Sequence, residues 1–173
     1  MANEQSAINL LRAQFTQCFE WLEGTMAGVT MEVANYKPAG NVSPIAGQLA
    51  HTITSLDGLV VGAVAGKAPV MASSFAGKTG MSEAPPPGFA WGEWGQRVQL
   101  DLPAFHEYSK AVFTAVHECL DTLSDGDLTR ELDLPFGKQT VSWVFNIMLL
   151  NTLSHTGEIA CLKGLQGLKG YPA

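Results

Sequence analysis

Apolar residues recur every three or four positions in four long stretches of this chain, and this spacing constrains the fold more than any other feature. In residues 7–26 the recurring apolar positions are Ile8, Leu11, Phe15, Cys18, Leu22 and Met26. Such spacing places apolar side chains on one face of an α-helix. Similar spacing continues in residues 45–64, in the stretch after Asp101, and in the stretch that ends at the glycines of "KGLQGLKG". Four amphipathic helices of this length predict an all-α four-helix bundle.

Residues that favour helix starts precede three of these stretches. Ser43 is expected to cap the second helix, with Pro44 as its first helical residue, and Asp101 is expected to cap the third. Either Thr140 or Ser142 is expected to cap the fourth helix. The stretch "MEVANYKPAGNVSP" between the first two helices contains Pro and Gly and is expected to be a loop.

Two segments depart from the helical pattern. Residues 65–100 hold "PPPGF" and "WGEWGQR" and predict an irregular insertion between the second and third helices. Trp91 and Trp94 lie three positions apart, which fits one helical turn that anchors the insertion on the core, with a ligand-stacking platform as the alternative. The stretch "LTRELDLPFGKQTVSW" alternates and turns at "FGK", so it predicts a short hairpin before the fourth helix.

Charge and cysteine content limit the classes of partner and compartment. Charged residues make up 15% of the 173 residues, the formal net charge is −6, and the ten Lys and Arg residues are scattered. We therefore expect a single domain over residues 1–173 that binds neither nucleic acid nor a membrane.

Cys18, Cys119 and Cys161 all lie in apolar helical stretches and are expected to be buried, reduced thiols. The opening residues also lack the pattern of a secretory signal, so we expect a cytoplasmic protein.

A polar stripe crosses the apolar fourth helix. Asn151, Ser154, His155 and Glu158 are offset by three and four positions, which places them on one helical face. His51 lies in the middle of the second helix, also among apolar neighbours. Bundle cores often hold metals on side chains from facing helices, and two imidazoles with a third ligand suit a divalent ion with open positions. The alternative is a pair of hydrogen-bonded core histidines.

The remaining histidines belong to a different helix. His106 and His117 lie eleven positions apart on the third helix and are expected at the boundary of its buried face or at the surface.

The stretch "IAGQLAHTITSLDGL", followed much later by "NTLSHTGEIACLKGLQGL", resembles the DinB-like superfamily, which includes the YfiT-type thiol transferases. The resemblance covers nearly the whole chain. It implies a four-helix bundle of the DinB/YfiT type, often homodimeric, that binds a divalent metal such as zinc or nickel. His51 matches the histidine of the second helix, and His155 matches the second histidine of a His-x-x-x-His pair on the last long helix. Asn151 stands where the first histidine of that pair usually lies.

Asn151 changes what the resemblance implies for the metal. An amide oxygen is a poorer ligand than imidazole for zinc or nickel. Asn151 is therefore expected to complete the site, to position a bound water, or to mark a site that has lost its metal. The resemblance also suggests that Glu158 orients an imidazole. The alternative for Glu158 is a surface carboxylate that pairs with Lys163 or with solvent.

Two functions follow from the resemblance. The first is a metal-dependent transferase, or a related catalyst, that adds a small thiol to an electrophilic small-molecule substrate. The second is a non-catalytic homodimeric scaffold or small-molecule binder, in which the histidines form a hydrogen-bonded polar cluster.

Overall fold

The computed structural model describes residues 6–88 and 91–172 and contains the four long helices that the apolar spacing predicts. These helices are α1 (Ala7–Met26), α3 (Ile45–Leu56), α5 (Leu102–Asp121) and α6 (Val141–Leu165). Between them lie two short helices, α2 (Met31–Asn35) and α4 (Trp91–Gly95), and one antiparallel pair, β1 (Glu131–Leu134) and β2 (Gly137–Thr140). Residues Val70–Ala72 and Asp125–Thr129 form short 3-10 helices. The predicted four-helix bundle and hairpin are confirmed. No helix in the described residues is long and apolar enough to cross a membrane.

Contacts at the helix ends give the directions of the helices. Lys163, in the last turn of α6, donates to the backbone carbonyls at the end of α1, including that of Ala27 at 3.0 Å. Arg12, near the start of α1, pairs with Asp121 at the end of α5 at 2.5 Å. Helices α1 and α6 therefore run in one direction and α5 runs in the other. His51 in the middle of α3 contacts Asn151 in the middle of α6, so the midpoints of these two helices meet.

The helix caps follow the predictions at two of the three sites. Asp101 accepts from the backbone N–H of Ala104 at 3.5 Å, and Thr140 accepts from that of Trp143 at 3.2 Å. The predicted cap of the second helix is wrong by one residue. Pro44 occupies the cap position without a side-chain bond, and its carbonyl accepts from Gln48 N at 3.1 Å. Ser43 is buried just outside the helix.

The second helix departs from the prediction in its geometry. Residues 45–64 were expected to form one α-helix, but α geometry ends at Leu56, and Asp57–Val64 is π-helical. Glycines and β-branched valines in "DGLVVGAV" weaken the local preference for α geometry. Packing favours the change as well, because the fully buried Asp57 carboxylate accepts bonds from the chain just after this segment.

The connecting segments contain more regular structure than expected. The predicted loop between α1 and α3 contains α2, which Thr30 caps by accepting from Val33 N at 3.3 Å. The Asn35 side chain then joins this region to the end of the insertion, accepting from Leu100 N at 2.9 Å and donating to Leu100 O at 3.1 Å. Trp94 in α4 is almost fully buried, so the predicted anchoring turn is confirmed.

One of the three cysteines is not where the sequence pattern placed it. Cys18 and Cys119 are buried, as expected, but Cys161 is exposed. It lies eleven residues after Leu150, about three helical turns, and therefore on the same outward face of α6. Leu150 is exposed as well. An apolar neighbourhood in sequence does not show which face is buried when a helix is apolar nearly all round.

Candidate functional site

His51 from α3 meets Asn151 and His155 from α6 near the middle of both helices. The Nε2 atom of His51 lies 3.2 Å from the amide nitrogen of Asn151. The two imidazole rings lie edge to face, with their centroids 4.9 Å apart and their planes at 84°. The three side chains that the sequence analysis singled out as a candidate metal site therefore lie together. Ser154, the other member of the polar stripe, is exposed on α6.

Glu158 holds the outer nitrogen of the His155 ring. Nδ1 of His155 lies 2.5 Å from a carboxylate oxygen of Glu158, one turn further along α6. The imidazole is buried, while about half of the Glu158 side chain remains exposed. A proton shared at Nδ1 leaves Nε2 of His155 free to bind a ligand, which is how carboxylates orient histidine ligands in metal sites. The alternative partner for Glu158, Lys163, instead caps the end of α1.

Trp91 forms an aromatic wall over the histidine pair. Its ring stacks on His51 with centroids 3.9 Å apart and planes at 18°, and it meets the His155 ring edge to face at 5.7 Å. The close approach of α4 to α3 depends on two glycines, because a Cβ atom on Gly47 would lie only 1.9 Å from the carbonyl oxygen of Gly95. A contact between backbones therefore positions this wall.

The sequence pattern does not predict the contact of Trp91 with the histidines. Only two sequence features could have indicated this contact: Gly47 comes one turn before His51, and "WGEWG" ends in Gly95. Neither feature shows that the two segments touch.

Burial keeps His51 neutral. Desolvation, followed by the nearby His155, lowers the pKa of His51 from 6.5 to about 4. At neutral pH its ring therefore carries one proton and one free lone pair. When the Asn151 amide donates to Nε2, the ring proton sits on Nδ1. This arrangement leaves the amide oxygen of Asn151 to find another partner.

Two amide oxygens near His51 have no such partner. Oδ1 of Asn151 and Oε1 of Gln48 are both buried and accept no hydrogen bond from the described residues. Gln48 lies one turn before His51 on α3, and the sequence analysis missed it. An unpaired buried oxygen costs free energy, so the oxygen of Asn151, whose amide contacts His51, fits a site that receives a cation or a hydrogen-bond donor.

The donor set suits a metal that accepts mixed nitrogen and oxygen ligands. His51 and His155 offer imidazole nitrogens, and Asn151 offers an amide oxygen. No group of three or more His, Cys, Asp or Glu residues in residues 6–88 and 91–172 has the geometry of a metal site. A metal here would therefore rely on Asn151 or on solvent for its third ligand.

The other candidate ligands lie elsewhere on the bundle. His106 is exposed on α5, and His117 contacts Phe19 on α1 with ring centroids 5.8 Å apart. Burial raises the pKa of the Cys18 thiol to about 11, so Cys18 stays protonated and is not predisposed to bind a metal. Both histidines occupy the boundary or surface positions that the sequence analysis expected.

The fold and the site place this protein among four-helix bundles that carry one histidine on each of two facing helices. The family model of the DinB superfamily matches residues 14–159, and the chain belongs to that superfamily. A comparison with curated proteins finds no match. Among solved structures, the fold is similar to that of a conserved protein from Enterococcus faecalis, with a TM-score of 0.78 and 19% identity. That likeness covers 92% of this chain and 96% of the other.

Proposed function

We propose that this protein binds one divalent metal ion, zinc or nickel, through His51, His155 and Asn151. The observation that supports the proposal best is the orientation of the two imidazoles. Burial keeps the first neutral, and Glu158 holds the second by Nδ1 so that Nε2 is free. The buried, unpartnered Oδ1 of Asn151 adds a third donor in reach of the same histidine.

The proposed reaction is the transfer of a small thiol to an electrophilic substrate, or a related reaction. His51, His155 and Asn151 would hold the metal, which would supply a nucleophile at neutral pH by lowering the pKa of a bound thiol or water. The chain's own residues have supporting roles. Glu158 stabilises the imidazole of His155, and Trp91 covers one side of His51 and keeps water from that face. The insertion that carries Trp91 offers a wall for the substrate.

A second candidate function is a non-catalytic binder. The 3.2 Å contact between Asn151 and His51 favours it, because each side chain already gives the other a partner without a metal. In this alternative the same cluster would bind a polar group of a small molecule through the unpartnered oxygens of Gln48 and Asn151.

We also propose that the protein acts as a cytoplasmic homodimer. Trp21 on α1 and Leu150 and Leu153 on α6 are 42%, 53% and 49% exposed and border one groove between these helices. A second copy would remove this apolar surface from water. Light scattering during size-exclusion chromatography measures the mass. Leu150→Glu should give monomers, and a wild-type monomer would refute this part of the proposal.

Elemental analysis of untagged protein, purified without chelators, tests the metal proposal. We expect about one metal ion per chain in the wild type. His51→Ala should lose that metal, while His106→Ala, a change of the same kind at an exposed position, should retain it. Asn151→His should bind the metal more tightly, because imidazole replaces an amide.

The two candidate functions give different results in this experiment. A wild type that stays empty after titration with zinc and nickel, together with an Asn151→His variant that binds metal, would favour the non-catalytic binder. If neither protein binds metal, the metal proposal is wrong. Circular dichroism of each variant distinguishes a lost ligand from a lost fold.

A further inference from the structure

We propose that a second binding site, separate from the histidine cluster, takes a small amphiphile with an apolar body and one cationic or hydrogen-bond-donating end. The site is an open cavity of about 560 Å³ at the end of the bundle where α1 finishes and α5 begins. Leu49 and Ile53 line it from α3. Each is two positions from His51, or about 200° around the helix, so the cavity and the histidines lie on opposite faces of α3.

The cavity has the size and lining of a small-molecule site. Ligand pockets typically enclose about 300–1,000 Å³ and are mostly apolar with a few polar groups. At the roughly 30 Å³ that one water molecule occupies, the volume suits a ligand of up to about 19 non-hydrogen atoms. The apolar lining comes from all three helices and includes Leu22, Met26, Leu49, Ile53, Phe105 and Phe113.

The polar groups of the cavity determine the charge of the ligand. The polar side chains among its lining residues are Glu23, His106 and Ser109. The Ser109 hydroxyl already donates to the carbonyl of Phe105 at 2.9 Å, so its oxygen is left to accept. The Glu23 carboxylate, an acceptor with a negative charge, forms no hydrogen bond or ion pair within the described part of the chain.

The same lining disfavours an anionic ligand. Neither Lys nor Arg is among the residues that line the cavity, and the chain carries a formal net charge of −6. A fatty acid or a phosphate ester would therefore place its charge in a cavity whose lining includes Glu23 and neither Lys nor Arg. An alkyl or aryl amine would bury its apolar part against the phenylalanines and leave its nitrogen at Glu23.

Calorimetric titration with three ligands of equal chain length, each below its micelle concentration, tests this inference. The ligands are decylammonium, decan-1-ol and decanoate. We expect one decylammonium per chain and decanoate binding up to roughly fivefold weaker, the upper range for a partly exposed ion pair. Glu23→Gln should weaken decylammonium by a similar factor and leave decan-1-ol unchanged. Glu20→Gln removes the same charge from an exposed position of α1 outside the cavity and should change nothing.

A variant that fills the cavity distinguishes binding inside the cavity from nonspecific binding to the protein surface. Met26→Trp enlarges a half-buried side chain of the lining and should weaken all three ligands together. The inference is overturned by three results: no saturable binding, equal binding of decanoate and decylammonium, or binding that Met26→Trp leaves intact. Light scattering runs in parallel, and a dimer dissociated by decylammonium would mean that a second copy, rather than a small ligand, occupies the cavity.

Discussion

Asp57 should contribute more to stability than any other single polar side chain of the α3 region, and substitution tests this directly. Its carboxylate is fully buried and accepts three hydrogen bonds. One oxygen accepts from Val70 N at 2.7 Å, and the other accepts from Met71 N at 2.9 Å and from the Tyr108 hydroxyl at 2.9 Å. Burial, and then Asp57 itself, raise the pKa of Tyr108, so the phenol keeps its proton and remains a donor.

The expected losses follow from the number of bonds that each variant removes. A hydrogen bond to a charged group contributes about 1.5–3 kcal/mol. Asp57→Ala loses all three but relieves the desolvation of the carboxylate, so we expect a loss of about 4 kcal/mol. Tyr108→Phe removes one bond and should lose about 1–2 kcal/mol. Asp57→Asn keeps one accepting oxygen but turns an NH₂ group toward a backbone N–H, so we expect a loss of about 2–3 kcal/mol.

Urea unfolding followed by far-UV circular dichroism measures these differences. In a protein of this size each kcal/mol lowers the melting temperature by about 2–4 °C, so Asp57→Ala should melt about 8–16 °C below the wild type. Asp133→Ala, at an exposed position of β1, provides the control and should stay within about 0.5 kcal/mol. An Asp57→Ala variant within about 1 kcal/mol of the wild type would refute the reasoning, as would an Asp57→Asn variant that is fully stable.

Three further predictions concern the site and its supports. Gly47→Ala places a Cβ atom against the carbonyl of Gly95, so it should lower the free energy of unfolding by about 2–3 kcal/mol and change tryptophan fluorescence. Gly58→Ala is the control and should do neither, because a Cβ atom there meets nothing within 4 Å. Because the pKa of His51 is lowered to about 4 in the folded state, the unfolded chain binds more protons below pH 6.5. Metal-free protein should therefore lose up to about 3 kcal/mol as the pH falls from 6.5 toward 4, and His51→Gln should reduce this loss in urea titrations at each pH. Lys163→Met removes the two bonds to carbonyls at the end of α1 and should lower the free energy of unfolding, measured in urea, by about 1–3 kcal/mol. A free energy equal to that of the wild type would contradict the capping role.

The helices could be predicted because their causes are local. Spacing of three and four residues reports the buried face of α1 and α5, and Asp101 and Thr140 cap helices as short polar residues usually do. The pairing of His51 with His155 could also be predicted, because each histidine lies in the middle of a helix and the family resemblance indicated both.

The features that escaped prediction depend on contacts between distant segments. Aspartate is usually a surface residue, and the donors that make the burial of Asp57 favourable come from the later turn at Val70 and Met71 and from Tyr108 on α5. The place of Trp91 depends on where α4 docks, which follows from two glycines far apart in sequence. Gln48 reads as an ordinary polar helix residue, because periodicity does not reveal whether a buried amide finds a partner.

The contact between Gly47 and Gly95 separates the position of Trp91 from the choice of side chain at position 151. At that point the approach of α4 to α3 is a contact between backbones, and the stacking of Trp91 on His51 adds to it. At the proposed metal site, substitutions at Asn151 would therefore change the ligand set without altering that backbone contact. For protein engineering, the proposed site would be a frame in which carboxylate, amide and imidazole donors could be exchanged one at a time at position 151 and the metal binding of each variant compared.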